Sequence, residues 1–163
     1  MTTIADGTYL GRLLELMGER DTMEVLEDGA ARVEAAVKRL GPAGLQRPYG
    51  PGKWTGAQVL AHLADAEQVV AYRARQTLTQ APFAIQGYDE AAWMGLYRDI
   101  DVEAALAAFL AARRWNLHLF RGLSAPQLAR VSVHPERGEE RLETMWRALA
   151  GHTLSHLGQL DVL

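Results

Sequence analysis

The chain of 163 residues contains no cysteine. That excludes disulfides, thiolate metal sites and a thiol nucleophile belonging to the protein, so any thiol chemistry has to bring its thiol from outside. Basic residues are not in excess either. Seventeen Lys and Arg against 20 Asp and Glu leave a formal charge of −3, and the clustered positive face that nucleic acid requires is not expected. No apolar run approaches the length of a membrane span, and the opening MTTIADGTYL lacks a positive start followed by an apolar core. A soluble, cytoplasmic protein is the expectation. Aromatic residues are sparse at 7%, yet 48% of the chain is hydrophobic, enough for one domain over residues 1–163 with a substantial core.

What the sequence does have is helical periodicity. Four long segments repeat apolar residues at helical spacing, and Gly/Pro-rich stretches separate them, which predicts an all-α, up-and-down four-helix bundle. The first segment runs from about Asp21 to Leu40, opens with DTME, and aligns Leu26, Ala30, Val33, Val37 and Leu40 before GPAG ends it. TGAQ is a capping box at the head of the second, which reaches about Thr79 with Val59, Leu63, Ala66 and Val70 on its stripe. The third covers about Val102 to Arg121 on Val102, Leu106, Phe109, Leu117 and Phe120, and the fourth runs from about Arg141 to the end. Upstream, YLGRLLELMG offers a short extra helix within an extension, residues 1–20, packed on the bundle. No strand pattern of convincing length is present. The connection QAPFAIQGYDEAAWMGLYRD between the second and third helices is long for a bundle and too aromatic for disorder, so it is read as functional.

Three of the five histidines converge. His152 and His156 are spaced i, i+4 in LAGHTLSHLGQL and therefore lie nearly above one another on one helical face, shared with Met145, Leu149, Gln159 and Leu160. Such a pair is commonly no more than two neighbours. A third comes from the second helix, where His62 stands about 60° from Val59 and inside the apolar half. If the second and fourth helices are neighbours, three neutral imidazoles meet, enough to hold a divalent ion and leave a position open. His118 falls outward and His134, in VSVHPERGEE, is read as a turn contact; both stay outside the ligand set.

Taken together, LQRPYGPGKWTGAQVLAHLADAE, IQGYDEAAW and VHPERGEERLETMWRALAGHTLSHLGQL closely resemble the DinB superfamily and, within it, the YfiT-like branch of metal-dependent hydrolases and bacillithiol S-transferases. The resemblance covers nearly the whole chain from about Asp21. It implies a bundle with a long connection, a nickel or zinc ion on His62, His152 and His156, and frequent homodimers. It further implies transfer of a low-molecular-weight thiol such as bacillithiol, mycothiol or glutathione to an electrophile, or its use in isomerisation. Where relatives carry further histidines around the terminal motif, this chain has Thr153, Ser155 and Leu157.

Thiol transfer is accordingly ranked above metal-assisted hydrolysis of an amide or ester, and both above a non-enzymatic, stress-associated metal-binding bundle. Arg73, eleven residues after His62 and near the same face, and Arg113, which interrupts the third stripe, are candidates to bind a carboxylate of thiol or substrate. The alternative for Arg113, a buried ion pair, is rated higher. Tyr88, Asp89 and Trp93 are candidates for the pocket wall, and Asp65, at the stripe's edge, and Glu67, to one side, for a hydrolytic base, with both carboxylates read as solvated. Trp146, Ala150, Leu154 and Leu157 form a second apolar strip on the fourth helix. A homodimer is the preferred account of it, and packing against the segment before Asp21 is the alternative.

Overall fold

The computed structural model describes residues 8–80 and 82–163. Four long helices form a bundle: α2 (Thr22–Leu45), α3 (Gly56–Thr79), α5 (Val102–Arg121) and α7 (Leu142–Asp161). Short elements complete it: α1 (Tyr9–Met17), β1 (Phe83–Ala84), α4 (Glu90–Met94), α6 (Ala125–Leu128), β2 (Val131–His134) and β3 (Gly138–Arg141). The cap signals work as read. The Asp21 side chain accepts from the Glu24 amide, and Thr55 with Gln58 closes a reciprocal capping box. GPAG kinks the first helix instead of ending it. Gly41 takes φ 60° and ψ −179°, and Pro42, which needs no amide partner at a helix start, leads a last stretch to Leu45.

Around the bundle the helices follow the order α2, α7, α3, α5, so that α2 and α3, consecutive in the chain, touch little. The pair that matters for the histidines, α3 and α7, is in contact. Two apolar clusters fill the interior. One centres on Leu60, Leu63, Phe109 and Leu157, the other on Met17, Leu117, Leu142 and Trp146. Between them runs a buried polar level. Arg113 Nε donates to Glu67 Oε1 at 2.8 Å, its Nη1 to the Leu26 carbonyl at 2.8 Å, and its Nη2 to Thr153 Oγ1 at 2.9 Å. Asn116 Nδ2 donates to Glu67 Oε2 at 2.9 Å. All four long helices are tied there. Arg113 is thus the buried ion pair, 1% exposed, and not a ligand-binding residue. Glu67 is equally closed off at 0%, and Asp65 is buried and accepts from the Tyr97 hydroxyl at 2.9 Å. Neither carboxylate is solvated.

The second apolar strip of α7 is covered within the chain. Trp146 and Ala150 are fully buried, Leu157 is 2% exposed, and Leu154 is half-buried. Met17 shares their cluster and Phe120 stacks on Trp146 at 5.1 Å, so the strip no longer calls for a second copy. The helix predicted within YLGRLLELMG is α1, laid against α7; residues 1–7 of that extension lie outside the described residues. The approach of α1 is close because position 151 lacks a side chain. A Cβ there would lie 2.8 Å from the Leu13 carbonyl carbon and 3.1 Å from its Cα. Gly151→Ala therefore pushes backbone from backbone and lowers stability by about 1–3 kcal/mol in urea denaturation. Gly158→Ala, on the same helix with nothing within 4 Å, raises it by about 0.5–1 kcal/mol.

A three-stranded sheet is present where no strand was expected. β1 pairs parallel with β2, and β2 antiparallel with β3 in the register Ser132 to Glu140. Its strands of two to four residues are too short to leave an alternating pattern. The sheet fastens the 82–90 part of the connection to the 131–141 hairpin and so sets both segments beside one cavity. No helix among the described residues is long and apolar enough to cross a membrane.

Candidate metal centre and its cavity

His62 arrives from the middle of α3, and His152 and His156 from two successive turns of α7. All three are buried, at 5%, 9% and 7% exposure. Their Nε2 atoms point at one another: His62 to His152 is 2.9 Å, and His156 to His152 is 3.1 Å. Trp54, just before the α3 cap, packs against the His62 ring with centroids 5.0 Å apart. The second and fourth helices are neighbours, as the convergence required.

Protons alone do not satisfy this cluster. The His156 Nδ1 contacts Gln159 Oε1 at 2.7 Å, an acceptor, which puts the His156 proton on Nδ1 and leaves its Nε2 a bare lone pair. His152 then faces two nitrogens with one Nε2, while its buried Nδ1 has no hydrogen-bond partner. One proton cannot fill both contacts. A cation can, because imidazole bonds of about 2.0–2.1 Å to one ion set neighbouring nitrogens roughly 3 Å apart. The donor set fits too. Burial lowers the His62 and His156 pKa values to about 4 and that of His152 well below its ordinary value, with neighbouring imidazoles adding to the effect at His152 and His156. All three are neutral, with lone pairs free, at neutral pH.

A consequence for stability follows. In the metal-free protein the unfolded chain takes up protons near the ordinary imidazole value of 6.5, whereas folded His62 and His156 do so only near 4. The unfolded state binds more protons within that window, so stability falls as pH drops from about 6.5 toward 4 and is insensitive to these groups above about 7. Each site contributes on the order of 3 kcal/mol across the full window. Urea midpoints measured against pH check the slope, and His62→Gln flattens it.

A cavity of about 280 Å³ opens from His62 and His152 and runs toward Arg73, Tyr88, His134 and Arg137. Arg73 is half-buried, sits over the Tyr88 ring at 5.7 Å and donates to the Gln86 carbonyl at 2.8 Å. Burial, then the Glu90 charge, pushes the Tyr88 pKa up to about 12, so its hydroxyl stays protonated. Of the other loop candidates, Asp89 is the α4 cap, accepting from the Ala92 amide. Trp93 packs on Tyr88 at 4.7 Å without being part of the cavity lining. Four charged lining residues were not singled out from sequence: Glu90, Glu136, Arg137 and Glu140. His134 makes the expected turn contact, its Nδ1 accepting from the Glu136 amide at 3.2 Å, but it also faces the cavity. Thr153 is structural, donating to the Leu149 carbonyl while it accepts from Arg113.

Three neutral imidazoles from two neighbouring helices, beside an open cavity, define a four-helix bundle with a candidate metal centre. The chain belongs to the DinB superfamily, whose model matches residues 26–160. It is 33% identical to YfiT of Bacillus subtilis (strain 168), with 85% of this chain and 82% of that protein covered. A relative from Oceanobacillus iheyensis is 30% identical, with 85% and 81% covered. The names of both place them, provisionally, among metal-dependent hydrolases. A solved structure of YfiT matches with a TM-score of 0.82 at 27% identity, over 99% of this chain and 88% of that one, and is described as a four-helix bundle of unusual topology.

Proposed function

We propose that the protein is a metal-dependent enzyme that transfers a low-molecular-weight thiol of the bacillithiol, mycothiol or glutathione kind to an electrophilic small molecule. The observation that carries this reading is the convergence of His62, His152 and His156 beside a cavity in a chain with no cysteine. Nickel or zinc suits three imidazoles, and an ion held by three protein ligands keeps a position for an incoming group. The ion supplies Lewis acidity, lowering the pKa of a thiol or water that binds there. The chain's residues do the rest. Trp54 and Gln159 orient the imidazoles, and Leu10, Leu13 and Leu149 in the cavity wall restrict water. Tyr88 is a protonated donor at the cavity wall. A cytoplasmic setting, where such thiols are kept reduced, goes with this reading.

Hydrolysis is the second reading, favoured by Glu90. Its carboxylate lines the cavity and its charge is felt at His156, which makes it a better candidate base than Asp65 or Glu67. The two readings separate in one assay. Protein loaded with nickel or zinc is given bacillithiol or glutathione with monochlorobimane, and separately p-nitrophenyl acetate. Thiol transfer predicts bimane conjugation above the uncatalysed rate, abolished in His152→Ala and retained in Glu90→Gln. Ester cleavage without conjugation, lost in Glu90→Gln, would overturn it in favour of hydrolysis.

A further inference from the structure

The geometry points to an oxyanion-binding subsite at the end of the cavity away from the three histidines, built by the Arg73 guanidinium and the Nε2–H of His134, which takes a carboxylate or phosphate group of the substrate. The inference deepens the proposed function by naming a substrate class: an elongated small molecule with its reacting group at the histidines and an anionic group several bonds away. Arg73 lies about 16 Å beyond His62 along α3, eleven residues at 1.5 Å each.

Two independent features make the subsite. Arg73 has no carboxylate partner within 4 Å among the described residues, although it is half-buried. Its contacts are one carbonyl and one aromatic face, which leaves guanidinium donors unused in a fork suited to an oxyanion. The neighbouring cation is already committed: Arg137 donates through Nε at 3.1 Å and Nη2 at 2.7 Å to Glu140 Oε2. His134 supplies the second feature. Because its Nδ1 accepts the Glu136 amide hydrogen, the proton of the neutral ring is on Nε2, and this ring can only donate from that nitrogen. The ring is buried in the cavity wall, where the charges of Arg137 and Arg73 act on it against those of Glu140 and Glu136. Glu136, Glu90 and the Arg137-paired Glu140 also line the cavity and limit how much anion is drawn in. They do not pair with Arg73.

The test does not depend on the metal. Protein labelled with nitrogen-15 histidine, with and without added zinc, is titrated with glutarate, inorganic phosphate and the neutral glutaramide. We expect the His134 Nε2–H signal to move with glutarate or phosphate in both forms, and the preferred anion to bind at least about tenfold tighter than glutaramide. Glutarate ahead of phosphate identifies a carboxylate, and the reverse a phosphoryl group. Arg73→Met loses the preference for anion over amide. His134→Gln, which keeps an N–H donor, retains more of it than His134→Leu. Equal binding of glutaramide, an unmoved His134 signal in wild type, or an undiminished preference in Arg73→Met would overturn the inference. The thiol-transfer reading has its own assay and can fail separately.

Discussion

Arg113→Met lowers the stability of the protein by about 3–5 kcal/mol, the range for removing one member of a buried ion pair. The substitution leaves the Glu67 carboxylate, 0% exposed, facing only the Asn116 amide, and strips partners from the Leu26 carbonyl and Thr153. The loss is large because the penalty is the desolvation of what remains, not the strength of one contact. Glu67→Leu alone is comparably damaging for the opposite reason, since it strands a guanidinium. The double variant costs clearly less than the sum of the two, because neither charge is then left buried alone. Urea denaturation of the four proteins gives the cycle. An additive result would mean that the polar level between the two apolar clusters is not a coupled unit.

The second large effect concerns ligand-linked stability. Zinc or nickel at 1,000 times its dissociation constant raises the unfolding free energy by about 4 kcal/mol, because the ion binds the folded state and not the unfolded one. His152→Ala removes the imidazole whose Nε2 touches both others. It is expected to abolish that gain, an effect beyond the 10–100-fold typical of outer-shell changes. Melting curves with and without added metal measure it. His118→Ala, on the exposed face of α5, leaves the gain intact.

Much of the candidate centre was legible because its geometry is local. The i, i+4 spacing of His152 and His156 and the wheel position of His62 fix which faces the rings occupy, and only the adjacency of α3 and α7 had to come from the fold. Arg113 illustrates the other case. Its interruption of the apolar stripe signals a buried cation, but the partner, Glu67, sits on another helix 46 positions earlier, and the wheel gave that carboxylate an open side. Glu136, Arg137 and Glu140 reach the cavity from the β2–β3 turn and β3, and Glu90 from the start of the short helix α4, in segments whose course is set by the β1–β2–β3 pairing. Strands that brief carry no period to read. The α7 strip was visible as apolar on a second face, but periodicity does not say whether α1 or another molecule covers it. The fold shows that the chain covers it itself: Met17 of α1 and Phe120 of α5 share a cluster with Trp146 and Ala150, and Leu157 sits with Leu60, Leu63 and Phe109.

The most direct test of the central claim is metal content. Tag-free protein, exposed to nickel or zinc and then dialysed, is analysed for its elements beside His156→Ala. Near one ion per chain in wild type, and little in the variant, is the predicted result. No retained ion in wild type, or equal retention after the histidine is removed, would contradict it.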